Sequence, residues 1–179
     1  MAPSEIAGFP PTSIREIANE VSALLKEQGA TVSVAETAAG GLISSTLLAT
    51  PGASGFYRGG VTVYTLESRI AFAGWTEEHL KDYKGPTPEI VAGLAESVRT
   101  KLGSTFAISE SGTAGPTGGA TKNRTPGYVA LAVSSKAGTV TREVETGKGT
   151  DREANMVAFA SEALKLLRDC LIGRVQAEL

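Results

Sequence analysis

Residues Thr31–Gly41 have the sequence TVSVAETAAGG, a short β-branched run that leads directly into a loop of small residues. Thr105–Gly119, with the sequence TFAISESGTAGPTGG, shows the same arrangement. β-Branched residues favour extended backbone, and glycine permits the tight turn that follows such a strand. Because ligands of open α/β sheets bind beyond the carboxyl ends of the strands, we predict that the loops Glu36–Gly41 and Ser111–Gly119 form one polar pocket.

Strands and helices alternate along the rest of the chain. The predicted strands are Thr31–Ala35, Gly60–Thr65, Thr105–Ser109, Tyr128–Ser134 and Thr139–Glu145. Helices are predicted to begin near Ser13, at Leu42, at Thr87 and at Thr150 or Asp151. The last two strands are predicted to form a hairpin. Alternating elements with one hairpin indicate an α/β fold, a three-layer α/β/α domain with a mixed sheet. We expect this single domain to span residues 12–173, between a flexible N-terminal arm, 1–11, and a polar tail, 174–179.

The composition argues against several classes of function. The 179-residue chain has a net charge of −2 and no cluster of lysine and arginine, which disfavours nucleic acid and membrane partners. Its apolar runs are shorter than the roughly 20 residues of a membrane-spanning helix. With one cysteine, Cys170, and one histidine, His79, it offers neither a disulfide framework nor a zinc site. We expect a cytoplasmic protein without metal or cofactor that acts on a small molecule.

Four segments resemble signature blocks of the CinA C-terminal domain family, which includes nicotinamide mononucleotide deamidase. Ala35–Gly41 resembles its Ala-Glu-Ser-Cys-Thr-Gly-Gly loop, and Gly59–Arg69 resembles its Gly-Gly-x-x-x-Tyr-Ser-Asn-Glu-x-Lys stretch. Ser111–Pro116 is similar to Ser/Thr-Gly-Ile-Ala-Gly-Pro, and Asp151-Arg152 to the end of Gly-Asp-Arg. The blocks follow the family's order and spacing, so the sequence is identified as a divergent member of the family.

This resemblance implies a metal-free, homo-oligomeric α/β/α amidohydrolase that hydrolyses the carboxamide of nicotinamide mononucleotide, or of a related small molecule, to the acid and ammonia. The family uses a serine nucleophile with a lysine and a tyrosine nearby, and backbone N–H groups can stabilise the oxyanion. The matching positions hold Thr37, Arg69 and Tyr64. We predict catalytic roles for these three residues and for Glu110.

The two loops also supply candidate substrate contacts. N–H groups at the start of the Leu42 helix can face an anion. Arg152 lies in the first turn of a helix, where a cation is unfavourable, and this favours a role in binding a ligand such as a phosphate. The predicted substrate-binding residues are Glu36, Gly40, Gly41, Ser111, Gly112, Thr113, Ala114, Gly115 and Arg152.

Two positions depart from the family in ways that affect the chemistry. An arginine side chain is a cation at neutral pH, so Arg69 cannot act as a general base there. Glu110 occupies a position that is usually apolar in the family. If Glu36 and Glu110 both point into the pocket, repulsion and burial would raise one pKa towards neutrality and make that group a possible base. The alternative is that Glu110 forms an ion pair with Arg69 or Arg152.

Three functional hypotheses therefore stay open. The first is an amidohydrolase with Thr37 as nucleophile and a relocated base. The second is an enzyme of another reaction class that uses the same pocket for an acid/base step. The third is a catalytically silent relative that binds a nucleotide-like ligand or acts by association. The combination of Thr37, Arg69 and Glu110 is the feature that distinguishes them.

Overall fold

One mixed sheet of five strands forms the centre of the fold. The computed structural model describes residues 8–81 and 83–177. The strands are β1 Val32–Glu36, β2 Tyr57–Thr62, β3 Phe106–Gly112, β4 Tyr128–Ser135 and β5 Gly138–Glu145. Their order across the sheet is β2-β1-β3-β4-β5, with β1 parallel to both neighbours and the other two pairs antiparallel.

Helices cover both faces of this sheet. They are α1 Thr12–Glu27, α2 Leu42–Leu48, α3 Leu66–Ala73, α4 Glu77–Lys81, α5 Pro88–Leu102 and α6 Arg152–Leu171. One apolar core joins α1, α2 and α6 to strand residues such as Val34 and Ile108, and a second joins α5 to Ala35 and Ala107. Successive strand residues point to opposite faces, so these two cores lie on opposite sides of the sheet. The predicted three-layer α/β/α domain with a mixed sheet is confirmed.

The second strand lies three residues earlier than the predicted strand Gly60–Thr65. Thr62 is the last paired residue of β2, opposite the end of β1. Thr65 then caps α3, since its hydroxyl accepts a hydrogen bond from an amide in the first turn of that helix. Tyr64 is therefore a loop residue between the sheet and α3, and neither α3 nor α4 is among the helices predicted from the sequence.

The third strand is longer than the predicted strand Thr105–Ser109. It continues to Gly112 because Glu110, Ser111 and Gly112 all pair with β4. Glu110 and Ser111 are consequently adjacent strand residues, and their side chains point to opposite faces of the sheet. This extension decides which of the candidate side chains meet.

The two terminal segments lie only partly within the described residues. Residues 1–7 of the predicted arm and residues 178–179 of the predicted tail are outside them. Within 8–81 and 83–177, none of the helices combines the length and the apolar character needed to cross a bilayer.

Candidate functional site

The loop after β1 is shaped by the buried carboxylate of Glu36. One carboxylate oxygen accepts hydrogen bonds from the amides of Gly41 and Ile43, at 2.9 and 3.0 Å. The other accepts from the amide and the hydroxyl of Ser44, at 2.8 and 2.6 Å. The amides at the start of α2 therefore face an anion of the protein itself, which differs from the predicted contact of Glu36 and Gly41 with a ligand. Glu36 is fully buried and fixes the shape of the loop.

Glycine is required at the turn of this loop. Gly40 and Gly41 have φ angles of 69° and 97°, in the left-handed region that side chains with a Cβ rarely adopt. The turn brings the chain from the end of β1 into α2 within a few residues. The glycine pair thus shapes the backbone, and a contact of Gly40 with substrate stays a prediction.

A second buried carboxylate, that of Glu110, reaches the same loop from β3. Its Oε1 accepts hydrogen bonds from the amides of Thr37 and Ala39, at 2.6 and 2.7 Å. Its Oε2 has no hydrogen-bond partner among the residues that the structure describes, and the side chain is fully buried. Burial raises the pKa of Glu110 to about 7; the charge of Glu36 adds to this, whereas the two amide bonds and the charge of Arg69 oppose it.

The candidate nucleophile Thr37 belongs to a hydrogen-bonded chain on the opposite face of the sheet. Its hydroxyl donates to the hydroxyl oxygen of Ser111 at 3.2 Å. The Nη2 of Arg69 donates to the same oxygen over a longer distance, 3.5 Å. The side chains of Thr37, Ser111 and Arg69 are all at most 4% exposed, so these hydrogen bonds are shielded from bulk water.

Arg69 is a buried cation that packs against aromatic rings. Its guanidinium carbon lies 5.0 Å from the ring centroid of Trp75 and 5.2 Å from that of Tyr83. Such cation–π contacts partly replace the water that the cation gives up. Among the described residues, neither Nε nor Nη1 has a hydrogen-bond partner.

The predicted ion pair of Glu110 with an arginine does not form. Within the described ranges, the free Oε2 of Glu110 and the free nitrogens of Arg69 have no partner, and Arg152 bonds elsewhere. The physical reason is the strand geometry: Glu110 leaves β3 on the face opposite Ser111, and Ser111 is the residue that Arg69 contacts. For the same reason Glu110 makes no hydrogen bond to the Thr37 hydroxyl.

An open cleft of about 210 Å³ lies where the two loops meet. Its lining residues are Ala38, Tyr64, Gly112, Thr113, Ala114, Gly115, Thr117, Gly118, Arg124 and Arg152. Six of the predicted site residues are therefore at its surface. The other seven are outside the lining: Glu36, Thr37, Gly40, Gly41, Arg69, Glu110 and Ser111. Ala38 lines the cleft and directly follows Thr37, so it links the cleft surface to the buried hydrogen bonds of Thr37.

Arg152 and Tyr64 form one wall of the cleft. Nη1 of Arg152 donates to the carbonyl of Gly115 at 2.7 Å, and Nη2 donates to the hydroxyl of Tyr64 at 3.4 Å. Tyr64 is 61% exposed, so it is a surface residue of the cleft and not a core tyrosine. The guanidinium is thereby oriented at the start of α6, beside the loop that follows β3.

Arg124, the second cation of the cleft, is not among the site residues predicted from the sequence. Arg124 ends a short 3-10 turn, Lys122–Arg124, and its carbonyl accepts a hydrogen bond from the amide of Gly119 at 2.8 Å. No regular period marks such a residue in the sequence, because only the folded loop returns it to the cleft. Two arginines beside small residues can bind a phosphate or a carboxylate.

The cleft is smaller than a groove of about 760 Å³ between β5 and α6. That groove contains none of the candidate residues. We place the candidate site in the smaller cleft, because two arginines and a tyrosine line it and Ala38, the residue after Thr37, is at its surface. Across the described ranges, no group of three or more His, Cys, Asp or Glu side chains is arranged to bind a metal ion.

Known proteins resemble this chain over most of its length. A CinA-like protein of Shewanella amazonensis is 36% identical over 153 residues, which are 86% of this chain and 34% of the relative. A CinA-like protein of Gloeobacter violaceus is 32% identical over 157 residues, which are 88% of this chain and 37% of the relative. The chain thus spans about a third of the length of these curated relatives.

Solved structures share its fold. The competence/damage inducible protein CihA from Agrobacterium tumefaciens matches with a TM-score of 0.81 and 27% identity, over 90% of this chain and 97% of that chain. The competence damage-inducible protein A from Klebsiella pneumoniae matches with a TM-score of 0.82 and 25% identity, over 89% and 97% of the two chains. The family model of the CinA C-terminal domain matches residues 14–171. This chain therefore belongs to the CinA C-terminal domain family.

Proposed function

We propose that this chain is an amidohydrolase that hydrolyses the carboxamide of nicotinamide mononucleotide, or of a closely related anionic carboxamide. The observation that carries the proposal is the hydrogen-bonded chain from Thr37 through Ser111 to Arg69, directly behind a cleft with two arginines. Thr37 occupies the position of the family's nucleophilic serine. A hydroxyl is the group that such a nucleophile needs, and threonine retains it.

In this proposal, the cleft binds the anionic part of the substrate. In this proposal Arg152 and Arg124 bind the phosphate, since guanidinium groups match phosphate oxygens in charge and geometry. The small residues Gly112–Gly115 leave room for the ligand to approach the backbone. The carboxamide then lies near Ala38, beside the nucleophile.

The reaction proceeds in two steps. In the first, the Oγ1 of Thr37 forms a bond to the carboxamide carbon, and the carbonyl electron pair moves to oxygen. The proton of Thr37 passes through the Ser111 hydroxyl to the leaving nitrogen, the C–N bond breaks, and ammonia departs. In the second, water attacks the resulting ester, one water proton returns to Thr37, and the carboxylic acid is released.

Arg69 acts as a fixed charge in this scheme. A guanidinium group has only N–H donors and no acceptor, so Arg69 cannot accept the proton of Thr37. Through its hydrogen bond to Ser111, it stabilises the negative charge that develops on the hydroxyl oxygens. Without a general base of the family's type, we expect slow turnover.

A second candidate function is binding of the same ligand without hydrolysis. It is favoured by one observation: among the described residues, the Thr37 hydroxyl donates only to Ser111, and a serine hydroxyl is a poor base. A protein of this kind would bind the nucleotide in the cleft and release it unchanged.

Two measurements on the unmodified chain separate these candidates. The first is ammonia release from nicotinamide mononucleotide, and the second is calorimetric titration with the same compound. Binding with ammonia release supports the amidohydrolase. Binding without ammonia release supports the second candidate and contradicts the first, and absence of both contradicts each of them.

A further inference from the structure

Two buried carboxylates accept hydrogen bonds from most of the backbone amides in the loop after β1. Glu110 accepts from Thr37 and Ala39, and Glu36 accepts from amides at the start of α2. Between the two residues held by Glu110 lies Ala38, whose amide makes no hydrogen bond to any described residue. Buried backbone amides are nearly always paired, so an unpaired one at a cleft indicates a position for a ligand atom.

The unpaired amide also has the position that the chemistry requires. Ala38 lines the cleft and directly follows Thr37. In several hydrolases with a nucleophile at the end of a strand, the amide of the next residue stabilises the oxyanion. The neighbouring amides, those of Thr37 and Ala39, donate hydrogen bonds to Glu110 and are not available to a ligand.

We propose that Glu110 is a positioning residue that, by binding the amides of Thr37 and Ala39, directs the amide of Ala38 into the cleft as an oxyanion donor. This inference rests on the proposed amidohydrolase function. Glu110 touches neither the substrate cleft nor the hydroxyl of Thr37, and it acts only through the loop backbone.

The ionisation state of Glu110 should then determine how firmly the loop after β1 is held. An ionised carboxylate accepts hydrogen bonds more strongly than a neutral one, so the loop is held more firmly as pH rises. Among the described residues, the charged groups that act on Glu110 are Glu36, at the end of β1, and Arg69, in α3. Because the pKa of Glu110 is raised to about 7, its change of ionisation occurs close to neutral pH.

The first test compares the unmodified chain with Glu110→Gln. Glutamine keeps the size of the side chain and one carbonyl acceptor but removes the titrating charge. We expect kcat for ammonia release to rise with pH around 7 in the unmodified chain. In Glu110→Gln we expect this rise to disappear and kcat to fall at least tenfold at pH 8, with KM changed by less than about twofold. Glu162→Gln, on the surface of α6, is the matched control and should change neither value.

The second test does not depend on turnover. In the ¹⁵N-labelled chain without ligand, the amide resonances of Thr37 and Ala39 should titrate with one common midpoint near pH 7, and Glu110→Gln should abolish this titration. An unchanged pH profile of kcat in Glu110→Gln, or amide resonances that do not titrate, would overturn the inference. Absence of ammonia release in the unmodified chain rejects the proposed function, and the amide titration then decides whether Glu110 positions the loop.

Discussion

The Oε1 atom of Glu110 lies 2.6 Å from the amide nitrogen of Thr37, and the hydroxyl of the same threonine donates to Ser111 from the other side. Because Glu110 and Ser111 are consecutive residues of β3, one strand fixes Thr37 on two sides of the sheet. Such preorganisation is what a nucleophile needs, since its geometry is set before the substrate arrives.

Replacing Arg69 by lysine should increase the rate of ammonia release. A buried lysine without a paired anion has a lowered pKa and can accept the proton that Thr37 passes to Ser111. We expect kcat to rise at least about tenfold, as general-base catalysis is typically worth more than that. The measurement is the steady-state rate with nicotinamide mononucleotide, with Arg58→Lys as an exposed control. A rate that falls or stays constant would show that Arg69 does not limit proton transfer.

The arginines of the cleft should govern affinity rather than the chemical step. Removing a charge-assisted hydrogen bond typically costs about 1.5–3 kcal/mol, so Arg152→Gln and Arg124→Gln should each weaken nucleotide binding roughly 10- to 100-fold. Calorimetric titration checks this, and raising the salt concentration should weaken binding by the unmodified chain. Lys165→Gln, in the separate groove beside α6, is the control. Equal affinities in all variants would place the phosphate elsewhere.

Glu110 should make stability depend on pH. Its pKa rises from 4.5 to about 7 on folding, so the folded state binds more protons than the unfolded state between these values. The free energy of unfolding should therefore fall as pH rises from 4.5 to 7, by about 3 kcal/mol for this group. Urea denaturation at several pH values, compared with Glu110→Gln, isolates the contribution. A constant difference between the two proteins across this range would contradict the assignment.

Loss of Glu36 should be strongly destabilising. Glu36→Ala leaves the amides at the start of α2 without their acceptor in a buried site. Each unsatisfied buried group costs about 1–3 kcal/mol, so we expect a loss of at least 3 kcal/mol in the free energy of unfolding. Glu27→Ala, at an exposed position, should change it by less than about 0.5 kcal/mol. A comparable small effect at Glu36 would mean that water or other groups replace the carboxylate.

The sequence predicts the layers of the fold because most of the strands and the longer helices that form them carry their own apolar pattern. The end of β3 could not be predicted in this way, since Glu110 and Ser111 belong to the strand only through pairing with β4. That pairing separates Glu110 from Arg69 and prevents the predicted ion pair. The same limit applies to Arg124, which reaches the cleft through an irregular loop.

The site residues also fall into two groups, those whose position could be predicted from the sequence and those whose role could not. Tyr64 and Arg152 were predicted from the family motifs, and the structure brings them together at the cleft. The roles of the two glutamates could not be read from spacing, because they depend on which backbone amides the turn presents. Glu36 and Glu110 shape the loop from beneath, whereas the motifs alone suggested groups that line the pocket.

The proposed amidohydrolase activity requires the hydroxyl of Thr37 to act as the nucleophile. Its most direct test is the rate of ammonia release from nicotinamide mononucleotide by Thr37→Ala, measured beside Thr37→Ser and with nucleotide binding confirmed by calorimetry. We predict that Thr37→Ala binds the nucleotide but releases ammonia at least about 1,000-fold more slowly, while Thr37→Ser remains active. Ammonia release by Thr37→Ala at the rate of the unmodified chain would contradict the account.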